Sequence, residues 1–141
     1  MGPMIEALSH VNWLAVGVAS VAHFILGAAW FVGLVGKHYP VVLGIADRPQ
    51  EKPGLLSLAG PFACTAVTVA TSAILLRALG ITTYGDALVL GALVGVGYLV
   101  PMTLNIAINP LFPRPFAYTA LNAPFFVVGS LMSCTILEAM S

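Results

Sequence analysis

The stretch VNWLAVGVASVAHFILGAAWFVGLV, Val11 to Val35, runs without a single Asp, Glu, Lys or Arg. Crossing the ~30 Å hydrocarbon core of a bilayer takes about 20 apolar residues in a helix. Backbone groups left unpaired in hydrocarbon cost several kcal/mol each, so a segment of this kind is helical unless it belongs to a closed barrel, and no barrel alternation is present. Three further blocks, residues 55–79, 87–108 and 116–138, are nearly as free of charge, and most charged residues sit at the joints between blocks. The expected fold is all-α: a single domain over residues 1–141, an integral membrane four-helix bundle with antiparallel neighbours.

Composition excludes several classes. The chain is 60% hydrophobic and 7% charged, with mean hydropathy +1.02, where an ordinary soluble domain carries roughly 25% charged residues. Five basic and five acidic residues cancel, so there is no basic field to attract nucleic acid. The segment before the first block holds Glu6 and neither Lys nor Arg, which argues for a retained first span over a cleaved signal. Cys64 and Cys134 fall at different depths of their spans, too far apart for a disulfide, and read as small apolar side chains.

The joints set an expected topology. Lys37, Arg48 and Lys52 lie in the first connection and Arg114 in the third, within Asn109-Pro110-Leu111-Phe112-Pro113-Arg114-Pro115, whose prolines exclude helix. The other side has Arg77 alone. Basic residues concentrate on the cytoplasmic side, so the expectation is a multi-pass protein of the bacterial inner membrane with both termini outside. Its outer rim then carries Glu6, Arg77, Asp86 and Glu138, read either as headgroup-level solvation or as a cation site. Asn12 is an expected cap for the first span, with Trp13 at interfacial depth and Trp30, Phe31 and Tyr39 marking the inner boundary; Gly80 is an expected stop for the second, and Thr82 or Thr83 with Asp86 an expected start for the third.

Polar residues are expensive in lipid and point to protein-facing surfaces. His23 sits mid-span on a stripe with Val16, Ser20, Gly27 and Trp30, where small residues permit close helix approach and a polar group can bond across it. Neutral packing, a ligand or proton role, and an axial cofactor ligand all stay open. Tyr98, at similar depth, is the expected partner. In Gly91-Ala92-Leu93-Val94-Gly95-Val96-Gly97-Tyr98-Leu99-Val100-Pro101, Gly91 and Gly95 form a GxxxG pair, and Pro101 predicts a kink. Carbonyls freed near Val96 or Gly97, with Tyr98, Thr103 and Asn105, would line a small polar cavity. Asn122 lies near Pro124, with Asn105 its expected partner. The polar seam is thus His23, Tyr98, Thr103, Asn105 and Asn122, with Gly27, Gly91 and Gly95 as close-approach positions.

The segments Asn12-Trp13-Leu14-Ala15-Val16, Phe24-Ile25-Leu26-Gly27-Ala28-Ala29-Trp30-Phe31 and Gly36-Lys37, with Gly97-Tyr98-Leu99-Val100-Pro101, Asn105, Arg114-Pro115 and Leu121-Asn122, resemble the small four-span bacterial membrane proteins of domain of unknown function 1761 (DUF1761). From Gly44 to Thr83 the resemblance is one of hydropathy only. It implies a four-helix membrane protein and supplies no reaction. His23 stands where that family's pattern has an apolar residue, so no role for it follows from the resemblance.

Three function classes remain. Permeation or transport of a small solute or ion by a homo-oligomer leads, and an accessory subunit packed against other membrane proteins is the alternative. An enzyme has no paired carboxylates, HExxH, nucleophile with base or phosphate loop to stand on. A bound lipid, quinone or haem is the remaining option; no cofactor or metal is expected from motifs.

Overall fold

The computed structural model of the chain describes residues 2–49 and 54–141, and every regular element among them is helical. Four helices, α2 (Trp13–Leu34), α4 (Leu55–Ala78), α5 (Tyr84–Ala107) and α6 (Pro115–Ala139), are long and apolar enough to cross a membrane, and they alternate in direction along the bundle. Two short helices, α1 (Pro3–Leu8) and α3 (Tyr39–Leu43), lie outside those spans. Lys52, counted above with the basic side, lies outside the described residues.

Local chemistry sets the ends. The Asn12 side chain accepts from the Ala15 N–H (3.2 Å), starting α2. Thr83, and not Thr82, caps α5, its hydroxyl accepting from the Asp86 N–H (3.2 Å). Gly80 ends α4 at φ +66°, a left-handed conformation that suits glycine, and the Ile81 N–H reaches back to the Leu76 carbonyl (3.0 Å).

Helix α6 is the hub, in contact with α2, α3, α4 and α5. Because lipid tails are as apolar as leucine, helices in a bilayer associate through close van der Waals contact between small residues rather than through a hydrophobic drive. Gly91 and Gly95 supply that contact within the chain. A Cβ on Gly91 would stand 3.0 Å from the Leu131 Cα and the Ser130 carbonyl oxygen, and one on Gly95 would stand 3.1 Å from the Val127 Cα. At the end of the bundle that carries the termini, Ala15, Ala19, Ala73, Ala87 and Cys134 form a dense core with Val69, Leu76 and Leu90. Two cross-ties close this end: Asn12 Nδ2 donates to the Met140 carbonyl (2.8 Å) and Arg77 Nε to the His10 carbonyl (2.8 Å).

Two long helices each widen into one π turn. In α2 it covers Ala29–Leu34, where the Val35 N–H reaches five residues back to the Trp30 carbonyl (2.9 Å). In α5 it covers Gly95–Leu99, and the Val100 N–H bonds to the Gly95 carbonyl. The second lies just before Pro101, whose ring would crowd the carbonyl four residues back in a regular α-helix; the wider turn gives that ring room. A π turn holds one residue more than an α turn, so the helix beyond it is rotated by about 100° relative to an uninterrupted α pattern.

This rotation corrects two expectations. The buried face of α5 runs through Ala87, Leu90, Gly91, Val94 and Gly95, then resumes at half-buried Leu99 and Thr103 and at buried Ala107, one residue late. Tyr98 therefore points away from the bundle at 74% exposure, and Asn105 is exposed as well. The polar cavity expected around Val96, Gly97, Tyr98 and Asn105 does not form, since all four are exposed. Thr103 is half-buried, and its hydroxyl donates to the Leu99 carbonyl of its own helix (2.7 Å).

Candidate functional site

His23 is 4% exposed and lies between α2 and α6. Its partner is Ser133, whose hydroxyl is 3.4 Å from Nδ1. Its Nε2 has no partner among the described residues, and neither does the buried Ser20 hydroxyl one turn before it. Space for the imidazole comes from Gly129: a Cβ there would stand 2.9 Å from both Cδ2 and Cε1 of the ring and closer still to Nε2. Phe125, a turn before Gly129, packs its ring 5.1 Å from the imidazole, centroid to centroid.

His23 divides the bundle interior. On one side, toward α3, a cavity of about 800 Å³ opens between α2 and α4, with His23, Phe24, Phe31, Pro61, Cys64 and Phe126 among its walls. On the other side, at the termini end, a cavity of about 470 Å³ is lined by Asn12, Ala15, Arg77, Thr82, Leu137 and Glu138 among others. Ala15 and His23, the α2 residues that border the two, are about 12 Å apart along the helix axis. The section between them is closed. Ala19, Val69 and Cys134 are at most 1% exposed, and Ser20, Ser72 and Ser133 are buried beside them. It is a plug of small side chains with hydroxyls and no charged group among its described residues. Both π turns border the larger cavity, through Phe31 and Val32 of α2 and Leu99 of α5.

Beyond the cavity an aromatic cluster ties the remaining end together. Asn122 is 4% exposed, and its Nδ2 donates to the Tyr118 carbonyl (2.8 Å). The Tyr39 hydroxyl is hydrogen-bonded with Tyr118 and Asn122. Burial, and after it the Tyr118 hydrogen bond, push the Tyr39 phenol well above its ordinary value of 10.0, against the opposing hydrogen bond of Asn122. The rings of Phe31 and Tyr39 meet edge to face at 5.7 Å, those of Phe112 and Tyr118 at 4.9 Å. Asn122 thus bonds within α6 and to α3, not to Asn105. Trp30, expected at the interface, donates its indole N–H to the Leu121 carbonyl (2.7 Å) across the bundle.

The charged residues of the termini end separate. Arg77 and Glu138 line the smaller cavity. Glu6 and Asp86 are exposed and do not line it, so the acidic residues do not converge on a common cation position. Among the described residues, no group of three or more His, Cys, Asp or Glu is placed to hold a metal ion. Gly27 lies 3.4 Å, measured from its ideal Cβ, from the Phe125 ring.

The structure brings together His23, Ser133, Gly129, Ser20 and Phe125, of which His23 and Ser20 stand out in the sequence. Gly129 and Ser133 carry a readable signal, a small-xxx-small pair on α6. Tyr39 and Tyr118 join Asn122 through α3, a helix too short to leave a periodic trace.

The sequence profile of a family described as "Protein of unknown function (DUF1761)" matches residues 14–138, including the stretch 44–83 where the resemblance rested on hydropathy. No curated protein and no solved structure matches the chain.

Proposed function

The chain belongs to the DUF1761 family, whose function is unknown, and from that starting point we propose that it moves a small solute across a membrane through the interior of its own bundle. The supporting observation is the pair of cavities, about 470 and about 800 Å³, that face each other across the plug at Ser20, Ser72 and Ser133. A barrier with a cavity at either end leaves only a short section to open for a solute to pass from one cavity to the other, and π turns, which recur at functional sites, border the larger cavity. Lys37, Arg48 and Arg114 near one end, against Arg77 at the other, support a topology in which α3 faces the cytoplasm of a bacterial inner membrane and both termini face out.

Cys134 makes the reading testable without a known solute. It is free and sits in the plug, whereas Cys64 lines the larger cavity. In a Cys64→Ala variant in sealed vesicles, a membrane-impermeant methanethiosulfonate is expected to modify Cys134 slowly from either side. Modification from neither side, or from one side alone, overturns transport.

A second reading, an accessory or assembly subunit, is favoured by α4: only 17% of its most apolar window is buried within the chain. That face is open to lipid, to a like copy or to another membrane protein. Purification in mild detergent separates these readings. A monodisperse homo-oligomer or monomer removes the accessory role, and one stoichiometric partner supports it.

A further inference from the structure

We propose that the larger cavity binds a neutral, lipid-soluble ring compound of the quinone or quinol class, entering sideways between α2 and α4 from the surrounding bilayer. The two walls differ in chemistry. One is aromatic, formed by Phe24, Phe31, Tyr39, Phe125 and Phe126; the other is a strip of Ser57, Cys64, Thr65 and Thr68 along α4. The Thr68 hydroxyl donates to the Cys64 carbonyl (3.1 Å), whereas the Ser57 and Thr65 hydroxyls, which also line the cavity, are left to donate to ring carbonyl oxygens. A flat molecule with one apolar face and hydrogen-bonding oxygens on its edge matches both walls at once. An acyl chain would pack against the rings and leave the hydroxyls unused.

Charge narrows the class. No Asp, Glu, Lys or Arg occurs among the described residues that line the cavity, so an ionic ligand would leave its charge unpaired in a low-dielectric setting, at a cost of several kcal/mol. The volume of about 800 Å³ is in the range of small-molecule sites, roughly 300–1,000 Å³. Position narrows it further. Val32 and Leu58, on the two helices that flank the lateral opening, are 81% and 52% exposed, so this mouth faces hydrocarbon, while Gly36, Pro40 and Ile45 carry the same cavity to the loop end. A hydrophobic tail can trail from the lateral mouth into the bilayer while the ring sits inside. The deep end is closed by His23, the half-satisfied imidazole of the plug. Calling the ligand a cargo rests on the transport reading; the binding site does not.

Cys64 is the native reporter of occupancy, because it lines the cavity while Cys134 is 0% exposed. In lipid nanodiscs, neutral N-ethylmaleimide should label Cys64, and decylubiquinone should slow that labelling saturably, by roughly tenfold at ten times its Kd. Decanol at the same concentration should have little effect. An Ala28→Trp variant, which adds a bulky ring at a residue lining the cavity, should keep the ligand-free labelling of Cys64 and abolish the protection. Equal protection by decanol, or none by decylubiquinone, overturns the ring class. Protection that survives in Ala28→Trp overturns the location. Protection together with one-sided access of Cys134 leaves the binding site and removes transport, whereas two-sided access without protection does the reverse.

Discussion

The His23 imidazole occupies the space that any side chain at Gly129 would need. An ideal Cβ on Gly129 stands 2.9 Å from two ring carbons of His23, closer than side-chain carbons pack in folded proteins. The glycine on α6 and the histidine on α2 are one structural unit. The price of keeping a polar ring in mid-bundle is thus met on a different helix from the one that carries it.

That unit predicts strong non-additivity. Gly129→Ala should destabilise the fold by about 1–3 kcal/mol through overpacking. In a His23→Ala background the same change should cost much less, giving a coupling of about 1 kcal/mol or more. Thermal or denaturant unfolding in detergent measures the cycle. Additive costs would show that the ring and the glycine do not share space.

The glycines of α5 should divide by surroundings rather than by residue type. Gly91→Ala and Gly95→Ala push a methyl group into the α6 backbone and should each cost about 1–3 kcal/mol. At Gly97 an added Cβ meets nothing within 4 Å, so Gly97→Ala should be neutral or slightly stabilising. Equal effects at all three positions would remove the close α5–α6 approach as their cause.

Tyr98 and Asn122 should respond in opposite ways. Tyr98→Leu trades one outward-facing side chain for another and should change stability by less than about 0.5 kcal/mol. Asn122→Leu removes the bond to the Tyr118 carbonyl and the link to Tyr39, at an expected cost of about 1–3 kcal/mol. The same unfolding assay ranks them, and a larger loss at Tyr98 would contradict the rotated register of α5.

Tyr39 predicts an alkaline component of stability. Its folded phenol holds the proton more tightly than the ordinary 10.0, so the folded state binds more protons than the unfolded state at high pH. The contribution is fully present below about pH 10 and is lost as pH rises beyond it. Unfolding followed from pH 8 to 11 should show stability falling at the alkaline end, with a shallower fall in Tyr39→Phe. An unchanged slope in the variant would assign the loss elsewhere.

The fold is legible because lipid makes polarity expensive: charge confined to joints marks the spans, and Asn12 and Gly80 mark ends with the side chain or conformation an end needs. The site is legible only where the cost falls on one residue. His23 stands out as a polar group in an apolar block, but its partners lie more than a hundred residues onward, and which face of α6 meets it depends on three-dimensional rotation. Depth alone places Tyr98 and Asn105 in the seam, and depth does not say which way a side chain faces once residues 95–99 add an extra residue to the turn. The cavity leaves no pattern in the sequence, because its shape comes from where α2 and α4 do not meet.

The π turn of α5 means that this helix keeps two separate reading frames. Residues up to Gly95 are phased to the dense core, and residues from Leu99 are phased to the loop end. Tightening this turn to α at unchanged chain length would swing the later half by about 100°, presenting Tyr98 and Asn105 to the bundle and Leu99 and Thr103 to the outside, whereas deleting one residue within it would give a plain α-helix with both halves still in phase. A one-residue deletion is therefore absorbed in this turn, while the same deletion elsewhere in α5 would rotate half a helix and reach more side chains than any single substitution.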